Sequence, residues 1–158
     1  MSTLASLHDA MSRALFWCAG MALAVATVLY LVEVVTRYGF NAPTTWTVEV
    51  VEYALLAIIF LALPEVTRTK AHITMDLVSG TIGPRKAERL ARLNGLLAAM
   101  ACFLSAYIAG NEAARQFGRG LLTNAANPIP RWWLTAIISF GLASAALHFL
   151  RQTIGRRQ

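Results

Sequence analysis

Carboxylates set in apolar sequence are the first candidates for chemistry in this chain, because an ionisable group inside a membrane relays protons, binds ions or pairs with a cation. Glu33, Glu49, Glu52 and Glu112 fall near one end of the apolar stretches, and Glu65 falls near the other. Arg37 follows Glu33 by four residues, which puts both on one helical face, while Glu49 and Glu52 approach from the next stretch one turn apart. Two readings of this group stay open: an interfacial ion-pair lock that holds the first hairpin, or a polar surface offered to a periplasmic partner. The middles of the stretches carry nothing comparable. The runs 55–63, 96–106 and 134–147 contain no charge, whereas a carrier needs ionisable groups or broken helices near the midplane, where solute and coupling ion shed their water.

The remaining reactive side chains are few. Of the three histidines, His8, His72 and His148, only His72 and His148 are expected near one another at the inner surface, and His72 lies in a loop, which suits haem ligation poorly. Cys18 and Cys102 occupy different depths of different apolar stretches, so they read as packing thiols with no disulfide between them. No Ser-His-Asp, HExxH, CxxC or glycine-rich phosphate pattern is present. The sequence therefore predicts no enzymatic site, no metal site and no cofactor.

What must position the acids is a set of helices. The apolar stretches 14–36, 48–66, 93–111 and 132–150 are each long enough to cross a hydrocarbon core of about 30 Å, which takes about 20 helical residues. With 57% hydrophobic and 14% charged residues in 158, the chain reads as one all-α integral membrane domain, 1–158, with four transmembrane helices. The net charge of +6 does not mark nucleic-acid binding, because the basic residues flank the apolar stretches. If every stretch crosses, Arg13, Arg68, Lys70, Arg85, Lys86, Arg89, Arg92, Arg151, Arg156 and Arg157 share one side against Arg37, Arg115, Arg119 and Arg131 on the other. That bias puts both termini in the cytoplasm.

The connections are short. Residues 1–11 read as an amphipathic lead-in to the first helix, with a surface-lying placement as one option. Residues 37–47, with Asn41, Pro43 and Trp46, form a tight turn whose indole belongs at the headgroup level. The loop 67–92 mixes apolar and basic residues and is expected to lie along the membrane surface until Pro84 opens the third helix. Pro64 reads as a kink or an exit signal, and Pro128, Pro130, Trp132 and Trp133 mark the last turn and an interfacial anchor. Small residues at helical spacing, Gly20 and Ala24, Gly95 to Gly110, and Gly141 and Ala145, mark faces for close packing within the chain or against another protein.

The run Thr36-Arg37-Tyr38-Gly39-Phe40-Asn41-Ala42-Pro43, then Trp46, Glu49 and Glu52, then Leu63-Pro64, Arg68 and His72-Ile73-Thr74-Met75-Asp76, resembles the small membrane subunit of tripartite ATP-independent periplasmic (TRAP) transporters, the DctQ-like family. Pro128-Ile129-Pro130-Arg131-Trp132-Trp133 resembles the same family, so the likeness covers nearly the whole chain. Ile138-Ser139-Phe140-Gly141 lacks a proline common in members, and Ala62 stands where a glycine is common.

The resemblance implies a non-catalytic scaffold in the bacterial inner membrane, bound to a large elevator-type membrane subunit that imports organic acids on a sodium gradient after a periplasmic binding protein has captured them. The ion sites belong to the large subunit. On the same footing, Glu33, Arg37, Asn41, Trp46, Glu49 and Glu52 would stabilise the outer hairpin and help to dock the binding protein. Arg68, His72 and Asp76 would order the inner side, and none of these residues would touch substrate. The competing readings are a self-sufficient four-helix exporter with Glu33 as its proton carrier, and a haem- or quinone-holding membrane anchor.

Overall fold

The computed structural model describes residues 2–42, 44, 46–70 and 84–155, and His72 and Asp76 lie outside them. The described residues form four α-helices: α1 (Ser2–Gly39), α2 (Thr47–Lys70), α3 (Pro84–Arg119) and α4 (Arg131–Gly155). All four contain segments long and apolar enough to cross a membrane. Each apolar stretch read from the sequence lies inside one of them. At 1.5 Å per residue, α1 and α3 run to about 57 and 54 Å, well beyond a hydrocarbon core.

The helix ends follow local chemistry. Proline at the first position of α3 gives up an N–H that would have had no helical partner. Gly120 closes the same helix with φ +59°, and the Leu121 and Gly120 N–H groups donate to the Gln116 and Phe117 carbonyls, a Schellman cap. α1 ends where Asn41 takes the left-handed conformation, φ +51°, which asparagine tolerates better than most residues. Two alternatives that the sequence leaves open are removed. The lead-in is continuous with α1 from Ser2 rather than a separate surface segment. Pro64 is no exit signal either, because α2 runs on to Lys70 with Pro64 fully buried inside it.

Packing is lateral. α1 lies along α2, α2 along α4, and α4 along α3, so the helices stand in a row, with α2 and α4 in the middle. Apart from Pro64 and Gly141, the buried apolar residues among those described are all alanines: Ala19, Ala26, Ala99, Ala106, Ala145 and Ala146. Lipid supplies no hydrophobic drive between helices, so close backbone approach at small side chains does the holding. On α1 the buried positions Ser12, Ala19, Ala26 and Glu33 recur every seven residues, a single narrow seam. Gly95 and Gly110 of α3 face Thr153 and Ser139 of α4, and the Ser139 hydroxyl donates to the Ala106 carbonyl at 2.8 Å. Gly20 and Ala24 are exposed, and a methyl on Gly20 would meet nothing within 4 Å, so among the described residues that pair packs against no other helix.

The tightest approach joins α2 to α4. A Cβ on Gly141 would stand 2.3 Å from the Phe60 carbonyl oxygen. Phe60 is the residue whose carbonyl Pro64, lacking an N–H, leaves without its i→i+4 partner. Proline thus bares a carbonyl, and glycine lets the neighbouring backbone come up to it.

Candidate functional site: the polar clusters at the two helix ends

At the end that carries the two interhelical turns, Glu33 organises the first hairpin. Its carboxylate is 3% exposed and is fully engaged. Arg37 donates through Nε at 3.1 Å and Nη2 at 2.7 Å to Oε1, while the Thr44 N–H at 3.2 Å and the Thr44 hydroxyl donate to Oε2. Thr44 also bonds Thr47, the buried first residue of α2. Glu33 and Arg37 are thus ion-paired, and the contact network reaches α2 through threonines.

Glu49 and Glu52 are not part of it. Glu49 turns the other way and accepts the backbone N–H groups of Ala126 at 2.6 Å and Asn127 at 3.4 Å. Those donors belong to the last loop, which is itself clasped by Thr123 N–H to Ile129 carbonyl at 2.9 Å and Arg131 N–H to Leu121 carbonyl at 3.0 Å. Glu52 is exposed and has no hydrogen bond or ion pair among the described residues. Glu112 is taken up on its own helix by Arg115 at 2.5 Å and Gln116 at 3.0 Å. Trp46 is 43% exposed, and Trp132 packs edge-on against Phe117 with ring centroids 5.3 Å apart. Glu49→Ala should free the last loop from α2 while leaving the helices in place. Amide hydrogen exchange at Ala126 and Asn127 is expected to quicken by about tenfold, the loss of roughly 1.4 kcal/mol of local protection; unchanged exchange would show that the loop holds its shape without Glu49.

At the opposite end, which carries both termini, the structure assembles residues that the sequence reading passed over. His8 of α1 stacks on His148 of α4, ring centroids 4.2 Å apart and planes 25° off parallel. Each ring then reaches a serine on the other helix: His8 Nε2 lies 2.9 Å from Ser144 Oγ, and His148 Nε2 lies 2.9 Å from Ser12 Oγ. The Ser12 hydroxyl donates to the His8 carbonyl, so it accepts from His148 Nε2–H. Arg151, which can only donate, reaches His8 Nδ1 at 3.4 Å and Asp9 at 2.7 Å. His8 Nδ1 is thus an acceptor and its proton sits on Nε2. Beside this cluster, Glu65 is buried against Arg68, and the Gln152 amide donates to the Thr67 carbonyl at 3.0 Å, tying α2 to α4. The missed signal was a Ser–His spacing of four residues repeated in the first and last helices, each falling on one helical face.

The arrangement narrows the chemistry. Ser12, His148 and Asp9 mimic a catalytic triad in order, yet the serine has no exposed surface, its proton goes to a carbonyl, and Asp9 stands 4.0 Å from His148 Nδ1. His8, Asp9 and His148 bring potential metal ligands within 4.8 Å of one another. They suit a metal poorly, because the Arg151 guanidinium already bridges Asp9 and His8, and near-parallel rings send their in-plane lone pairs side by side. A haem between the two rings has no room at a 4.2 Å separation. At the other end, Glu33 is bound by donors on both oxygens and does not offer the free carboxylate that a proton-coupled exporter needs.

A family model described as "Tripartite ATP-independent periplasmic transporters, DctQ component" matches residues 26–158. The chain belongs to this family. No curated protein and no solved structure matches it. As a DctQ component it is the small subunit of a TRAP transporter, a tripartite system with a large membrane subunit and a binding protein. Its four long apolar helices make it a multi-pass protein of the inner membrane.

Proposed function

We propose that this DctQ component is the non-catalytic scaffold of a sodium-coupled TRAP importer of organic acids, bracing the large elevator-type subunit and helping to dock the periplasmic binding protein at its outer turns. The observation that carries this reading is where charge is absent. The runs 55–63, 96–106 and 134–147 hold no charged side chain, and the helices stand side by side rather than around an interior. A solute crossing here would have to shed its water with nothing to replace it. The charge bias supports cytoplasmic termini, with the Glu33 and Glu49 clusters facing the periplasm. Both clusters hold turns in fixed shape at that face, which suits a surface that must receive a soluble partner without paying ordering entropy.

The test is reconstitution. Liposomes containing this chain alone should take up no organic acid, and the chain should co-purify with the large subunit encoded with it. Adding that subunit, the binding protein and an inward sodium gradient should restore uptake. Uptake by this chain alone would overturn the scaffold reading, and uptake indifferent to sodium would remove the coupling from it.

A further inference from the structure

We propose that the His8–His148 stack is a proton-sensitive latch, holding the foot of α1 on α4 while both imidazoles are neutral and releasing it when His8 gains a proton.

His8 lies at the foot of α1, outside the apolar stretch 14–36, and its contacts define the neutral form. Nε2–H is committed to Ser144, so an added proton must go to Nδ1. That atom faces the Arg151 guanidinium at 3.4 Å. Protonation would set N–H against N–H and cation against cation, so Arg151 has to leave. It also makes one ring of a stacked pair cationic. The surrounding charges come from three helices: Asp9 and Arg13 on α1, Glu65 and Arg68 on α2, and His148 and Arg151 on α4. Asp9 alone among the immediate neighbours favours a charged imidazole, and it is already bonded by Arg151 at 2.7 and 3.4 Å. Burial and the Arg151 charge hold His8 below the usual imidazole range, against the opposing pull of Asp9.

The sign follows. A group held neutral in the folded state gives stability that is complete above the ordinary imidazole value of about 6.5 and is lost as pH falls below it. Asp9 keeps its charge through that interval, because an ordinary carboxyl already titrates well below it and the Arg151 hydrogen bond holds Asp9 lower still, so His8 is the group that changes. The consequence is local. α1 lies along α2 for the rest of its length and meets α4 mainly here, so release frees the foot of α1 without dismantling the row.

The experiment uses the full chain in lipid nanodiscs with Cys18 and Cys102 replaced by alanine and spin labels at two exposed positions, Leu7→Cys on α1 and Ile154→Cys on α4. One short distance should dominate at pH 8, and its population should fall at least twofold by pH 5. His8→Gln, whose amide can still donate to Ser144, should keep the short distance and lose the acid response. Nitrogen-15 spectra of the three histidines in the unaltered chain provide a measurement independent of substitution: His8 should be the neutral Nε2–H tautomer at pH 8 and titrate below the free imidazole value. An unchanged distance between pH 8 and pH 5, an equal acid response in His8→Gln, or a His8 that titrates at or above the free value would each overturn the latch.

Discussion

Replacing Gly141 with alanine is expected to cost about 3 kcal/mol or more, and with leucine to part α2 from α4. The added Cβ would stand 2.3 Å from the Phe60 carbonyl oxygen and 3.0 Å from the carbonyl carbon. The obstacle is backbone, which has no rotamer to yield, so the cost lies at or above the usual 1–3 kcal/mol range for overpacking. The site matters beyond its own contact. α2–α4 is the seam that joins α1–α2 to α3–α4, so separation there splits the subunit in half. Gly20 serves as the internal control, because alanine at Gly20 meets nothing within 4 Å and should gain up to about 1 kcal/mol from helix propensity. Thermal unfolding in detergent, with recovery of assembled complex as a second readout, compares the two. Equal stability for Gly141→Ala and Gly20→Ala would show that the central seam is looser than its geometry.

Arg37→Ala should have the next largest effect, about 2–4 kcal/mol, and should exceed Glu52→Ala, which should stay within about 0.5 kcal/mol. Removing Arg37 leaves a carboxylate that is 3% exposed with only the Thr44 donors on one oxygen. The guanidinium is itself 46% exposed, so water can partly replace it, which keeps the loss below that of a fully interior pair. Glu33→Gln should fall between the two variants, because the amide keeps an acceptor for Thr44 but no charge for Arg37. Wild-type recovery of complex for both Arg37→Ala and Glu52→Ala would mean that the hairpin closes without this pair.

The helices were legible in the sequence because each signal was local. Apolar length marked α1 to α4, Pro84 marked the start of α3, and Arg37 four residues after Glu33 marked their ion pair. What escaped were contacts set by the order of the row. Glu49 shares the level of Glu33, but level says nothing of facing, and Glu49 looks across to a loop 77 residues on. Depth alone sets His148 beside His72, whereas its partner is His8, 140 positions away, on a helix that the row brings back only at its foot. The seven-residue recurrence of Ser12, Ala19, Ala26 and Glu33 was available to a reader counting heptads. It was hidden because the seam mixes polar and small residues instead of large apolar ones.

A palisade one helix thick is anisotropic. Sliding one rod past the next must break alanine seams, the Gly141 contact and the hydrogen bonds at both rims, while flexing the whole panel about an axis parallel to the rods spares those seams and loads chiefly the foot of α1 where it touches α4. Such a panel keeps its outline under lateral load and still conforms to the curvature of whatever it lines.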